Sequence, residues 1–185
     1  MNIEDGSMPL QDTNWVVRKR NVRLCDLLSS DRVDWLAILA DGYIYSSGRQ
    51  LEVRSFDELE GLQKQFDLPS LSDIRARGLL IEGERTLPRR LINCLAECSD
   101  GDVRVRTSGT NAIETKDIDS FNAVMSVGVS DDEMEAATTN GAWYLRMRND
   151  DALIFIAASH VIAQKILSSC PANVRRVPSE FIFSP

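Results

Sequence analysis

The chain has 185 residues, 43% of them hydrophobic and 26% charged, with a formal net charge of −7 and a sequence pI near 4.8. That length and apolar content suit one domain burying roughly 70% of its unfolded surface, and they exclude a mostly disordered chain. The negative balance argues against phosphate-based nucleic-acid binding, and no apolar run approaches the roughly 20 residues that cross a bilayer.

Residues 1–13 are acidic and polar, without the apolar core of a secretory signal. They read as a flexible tail on a cytoplasmic protein. Residues 14–185 read as a single globular domain, with room for two sub-units meeting near 69–85, where Ser70, Ser72, Asp73, Gly78 and Gly83 interrupt any pattern. Four cysteines, Cys25, Cys94, Cys98 and Cys170, are expected as free thiols in a reducing compartment.

In chain order, Trp15 to Arg20 reads as a charged edge strand. Val22 to Leu28 places Leu24, Leu27 and Leu28 on one helical face. Trp35 to Ala40 is an apolar strand, and Asp41-Gly42 signals a two-residue hairpin into Tyr43 to Tyr45. After an extended Leu51 to Val53, Ser55-Phe-Asp-Glu58 is a capping-box pattern. The helix it opens points Phe56, Leu59, Leu62 and Phe66 inward and is weakened by Gly61. Leu79 to Ile81 forms a short strand. Thr86 to Cys98 is a helix with Pro88 in its first turn and Leu91, Ile92 and Leu95 as its stripe.

Asp102 to Arg106 alternates as a strand should, and Ala112 to Lys116 is its expected partner. Phe121 to Val129 reads as a strand with a bulge at Gly128, and Ser130-Asp-Asp-Glu133 as the capping box of a helix to about Thr138. Asn140-Gly141 turns the chain into Trp143 to Arg148, again alternating. Asn149 to Asp151 is a turn, Ala152 to Ala157 a strand covered on both faces, and Ser159 the cap of a helix that stops before Pro171. Val174 to Val177 and Phe181 to Phe183 return extended. The Trp35 unit and the Trp143 unit share the outline strand, turn, strand, helix, which reads as a recurring common unit since no fixed-period identity joins them. The fold class is therefore α+β: a mainly antiparallel sheet built from strand-turn-strand-helix units, with helices packed on it.

No constellation dictates one chemistry. Cys94 and Cys98 share a helical face, yet structural zinc wants four N/S ligands and His160 is the only histidine. His160 with one of the cysteines stays open as a nucleophile pair, although its place at a helix start opposes its protonation. Asp131, Asp132, Glu133, Asp150 and Asp151 are explained by a helix start and a turn, and match no calcium loop. Phosphate-binding glycine loops are absent. Trp15, Trp35 and Trp143 lie near strand starts, as core anchors or as an interface hot spot.

In size, acidity and lack of catalytic motifs the chain resembles the small acidic immunity proteins encoded beside bacterial toxins. No motif carries the resemblance, so it transfers no residue role. The expected function is a non-enzymatic domain of immunity or inhibitor type that sequesters a protein with a basic surface, without cofactor or metal, nucleic acid or membrane. Asp131, Asp132, Glu133, Asp150, Asp151 and Trp143 are its expected binding residues. Two alternatives stay open: a small enzyme with a dispersed Cys/His site, and a dimeric adaptor resembling a secretion chaperone.

Overall fold

The structure is a computed structural model that describes residues 22–28, 32–39, 42–46, 49–65, 67, 81–83, 87–107, 113–127, 133–148 and 153–183. Its centre is a seven-stranded sheet in the order β11-β2-β10-β9-β8-β6-β7. These strands are β2 (Val33–Leu39), β6 (Asp102–Thr107), β7 (Ile113–Asp117), β8 (Glu133–Thr138), β9 (Trp143–Arg148), β10 (Leu153–Ser159) and β11 (Val174–Val177). Every neighbouring pair is antiparallel, which bears out an α+β fold.

Both faces of the sheet are covered, because alternate residues of the same strands point to opposite sides. One face carries Leu36, Ile38, Val103, Val105, Met134, Ala136, Trp143, Leu145, Ile154 and Ile156. It packs under three helices, α3 (Arg89–Glu97), α4 (Ile118–Val127) and α5 (His160–Ser169), through Leu91, Leu95, Phe121, Met125, Ala163 and Ile166. The opposite face carries Trp35, Ala37, Leu39, Ala137, Tyr144, Leu153, Phe155 and Ala157. It meets Leu24 of α1 (Leu24–Leu27) and Phe56 and Leu59 of α2 (Phe56–Gln65).

A three-stranded sheet, β4-β3-β5, stands beside the main one and uses β3 (Gly42–Ser46), β4 (Arg49–Val53) and β5 (Ile81–Gly83). β3 pairs with β4 and β5 and not with β2, so the hairpin expected at Asp41-Gly42 does not form between these strands; Asp41 itself lies outside the described residues. The reason is hydrogen bonding: both edges of β2 are already taken, one by β10 and one by β11. Asn173 ties the parts together. Its side-chain amide donates to the carbonyls of Leu39 (3.2 Å) and Arg54 (2.7 Å), while the Phe56 N–H donates to the Ala172 carbonyl at 2.9 Å. A third pairing, β1 (Val22–Arg23) with β12 (Ile182–Phe183), brings the C-terminal residues against the start of α1.

Local chemistry explains several boundaries. The Glu58 N–H donates to Ser55 Oγ at 3.2 Å and the Glu58 carboxylate accepts from the Arg54 N–H at 2.7 Å, a capping box reaching one residue further back than usual. Between β8 and β9, Thr138 is buried and its hydroxyl oxygen accepts from the N–H groups of Ala142 (2.8 Å) and Trp143 (3.2 Å). Gly141 takes φ +68° there, a backbone region that glycine enters without penalty.

Further elements differ from the sequence reading. Glu133–Thr138 is the interior strand β8, not a helix, although Glu, Met and Ala are strong helix formers. Hydrogen bonding to β6 on one side and β9 on the other outweighs that preference, which is worth only tenths of a kcal/mol per residue. Ile118–Val127 is helix α4, not a strand. Ile118, Phe121 and Met125 recur at helical spacing under the sheet, and Asp117 caps the first turn, accepting from the Ser120 N–H at 2.8 Å. Upstream, the expected helix over Val22 to Leu28 begins as β1 and turns helical only at Leu24. Residues 1–21, most of 69–85 and the turn at 149–151 lie outside the described residues.

Gly61 sits in the exposed middle of α2, and a Cβ built there meets nothing within 4 Å. Gly61→Ala therefore raises stability by about 1 kcal/mol, seen as a higher urea midpoint at unchanged slope.

Candidate functional site

The sheet register brings together a charged group that no local pattern announces. Arg106, Glu135, Arg146 and Phe155 stand directly opposite one another across β6, β8, β9 and β10. The row beside them is Arg104, Ala137, Tyr144, Ala157 and Trp35. All of these side chains point to the face that carries Trp35 and Phe155. Glu135 and Arg146 are 7% and 5% exposed, so their charges are withdrawn from water.

Glu135 is the hub. Its Oε2 accepts from Arg106 Nε (3.0 Å) and Nη2 (2.5 Å). Its Oε1 accepts from Arg146 Nη1 and from the Tyr144 hydroxyl, the latter at 2.9 Å. Burial first, and the neighbouring carboxylate second, push the Tyr144 hydroxyl far above its ordinary range, so it stays protonated and donates. Trp35 then stands edge-on to Tyr144, with ring centroids 6.1 Å apart. This arrangement locks three strands into one register. Arg106, Arg146 and the Tyr144 hydroxyl are each donors to this one carboxylate.

The thiols also cluster. Cys98 and Cys170 end α3 and α5, and both lie beside Cys94. Burial, with Cys94 next, pushes both thiols above their ordinary value, which keeps them protonated and weakly nucleophilic. All four cysteines are free. His160 opens α5 at its other end, about 15 Å from Cys170 along the helix axis, so these two form no catalytic pair. It is exposed, and its Nδ1 lies 3.0 Å from Asp34 Oδ2, a carboxylate that also accepts from Arg176. Among the described residues, no group of three or more His, Cys, Asp or Glu side chains is placed to hold a metal ion. No helix there is long and apolar enough to cross a membrane.

A second charged feature lies at the far end of β6 and β7. Asp102 and Asp117 stand directly opposite each other in the antiparallel register. Asp100 and Asp119 are two residues away along each chain, and all four are exposed. Among the described residues none of the four forms a salt bridge. Hydrogen bonds from the Ser120 hydroxyl and N–H hold the Asp117 carboxyl below its ordinary range, which favours its charged form.

Of the residues expected to bind a partner, Trp143 is fully enclosed. Its indole N–H donates to the Leu95 carbonyl at 3.1 Å and its ring lies 5.7 Å from Phe121, so it presents no surface. Asp131, Asp132, Asp150 and Asp151 lie outside the described residues. Glu133 opens β8 opposite Arg148, and its side chain is not among those described. Arg106, Glu135, Tyr144 and Arg146 were missed. Alternation in Asp102 to Arg106 and Trp143 to Arg148 already aligns the arginines with Tyr144, but reading 133–138 as helix hid their carboxylate.

Removing one member of a buried ion pair strands the others, at a cost of about 3–5 kcal/mol, whereas losing a hydrogen bond to a charge costs about 1.5–3. Glu135→Gln is therefore expected to destabilise more than Tyr144→Phe in urea unfolding. The joint replacement Arg106→Met, Glu135→Leu, Arg146→Met is expected to recover much of the Glu135→Gln loss.

No family model matches this chain, and neither a curated protein nor a solved structure matches it significantly.

Proposed function

We propose that this chain is a non-enzymatic protein-binding domain of inhibitor type, which sequesters a partner with a basic surface. The observation that carries the reading is the aspartate corner at Asp100, Asp102, Asp117 and Asp119. Like charges directly opposite on paired strands destabilise a sheet, and among the described residues neither Asp102 nor Asp117 is relieved by a salt bridge. A cationic partner surface supplies the opposite charge and speeds encounter. The acidic net charge, and the burial that pushes the Cys98 and Cys170 thiols above their ordinary value, support the same reading over an enzyme with a Cys/His site.

The test is affinity capture from the native source at low and high salt, with the wild type beside Asp100→Asn, Asp102→Asn, Asp119→Asn. Asp117 is left intact because it caps α4. A stoichiometric basic protein retained by the wild type at low salt, and lost from the triple variant, is the expected result. Equal retention by both, or no specific partner at either salt, sinks the reading. Asp102→Asn alone is further expected to raise the urea midpoint, because it removes the cross-strand repulsion while weakening capture.

A further inference from the structure

We propose that β7 is a self-complementary edge through which two copies of this chain pair, extending the main sheet across a two-fold axis at Thr115. β7 is the last strand of the seven, and among the described residues no strand lies along its outer side. The hydrogen-bond phase shows which groups face outward. The Ile118 N–H donates to the Gly101 carbonyl at 2.7 Å, and the Thr139 N–H donates to the Asp102 carbonyl at 3.1 Å. Hydrogen bonds on an antiparallel strand alternate sides, so β6 uses its odd-numbered residues toward β7 and its even-numbered ones toward β8. The β7 residues bonded inward are then Glu114 and Lys116, and the backbone groups of Ile113, Thr115 and Asp117 point out.

That phase restricts how a second copy can add. An antiparallel two-fold at Glu114 opposes glutamate to glutamate, and one at Lys116 opposes lysine to lysine. An axis at Thr115 uses all five residues and sets Glu114 of each copy opposite Lys116 of the other. These two positions fall on non-hydrogen-bonded pairs, where Cα atoms approach to about 4.5 Å and side chains are closest. Glu114 and Lys116 already pair at 2.9 Å within one chain. The second copy closes them into a four-charge group of alternating sign on one face of the sheet, while Thr115 meets its counterpart on the opposite face. Asp117 comes to lie opposite Ile113, so the two aspartate corners stand about 14 Å apart along the strands, beyond the screening length of roughly 8 Å at physiological salt. The lysine and charges on this edge also fit ordinary protection against pairing, which separates from the proposal by experiment.

The interface is small, which predicts a concentration-dependent dimer with a dissociation constant on the order of micromolar. The test is sedimentation equilibrium of the full chain for the wild type, E114K, K116E, the double variant E114K/K116E, and a one-to-one mixture of the two single variants. Each single variant is expected to dimerise at least about tenfold more weakly, since it faces like charge across the axis. The double variant recovers dimerisation, and the mixture forms a heterodimer that neither variant forms alone. Circular dichroism checks that all chains remain folded, as expected for an exposed glutamate and a half-exposed lysine. A monomeric wild type at every concentration overturns the proposal. A dimer indifferent to both single changes, or a mixture that stays monomeric, does the same.

Discussion

A carboxylate withdrawn from water between two guanidinium groups constrains this fold more tightly than any apolar contact. Glu135 meets Arg106 and Arg146 only if β6, β8 and β9 are aligned as they are, since a slip of one residue would move every side chain of a strand to the opposite face. The charges would then lie among Val103, Leu145 and Met134 under the helices, where desolvation costs several kcal/mol per ion. The network adds little net stability against an apolar equivalent, so its physical effect is selective: misregistered sheets are penalised far more than the native one is favoured.

That alignment lets one sheet serve two cores. Trp143 is fixed toward α3 through its bond to Leu95 and its contact with Phe121, while Tyr144, the next residue, faces Trp35 and the buried glutamate on the other side. Apolar burial on both faces supplies the bulk of the driving force, and polar groups decide position. At the outer strands the balance reverses. β7 and the start of α4 are exposed and charged, and any contact with other molecules there rests on electrostatics and free backbone groups.

Much of this architecture was legible from period alone. Trp143–Arg148, Leu153–Ser159 and Asp102–Thr107 alternate or run apolar as their environments require, and Ser159 and Ser55 mark helix starts by capping chemistry. What escaped were segments whose residue preferences conflict with their place. Glu133–Thr138 is rich in helix formers but held as a strand by two neighbours, and Ile118–Val127 is rich in β-branched and aromatic residues but packs at helical spacing. Long-range pairing settled both, and no local window contains it. The candidate sites inherited the error: Glu135 meets its arginines only across strands, and Asp102 meets Asp117 only once the hairpin is paired.

The position of β2 governs the order of assembly. Val33–Leu39 lies between β10 and β11, strands that end only at Val177. An apolar strand made early must wait for partners made much later, and it lacks these two neighbours in the interval. Contacts of such sequence separation slow folding and leave bare strand edges open to other chains. A nascent chain that stops short of Leu153 would therefore carry an adhesive ribbon with both margins bare, and synthesis through Val177 is what closes them.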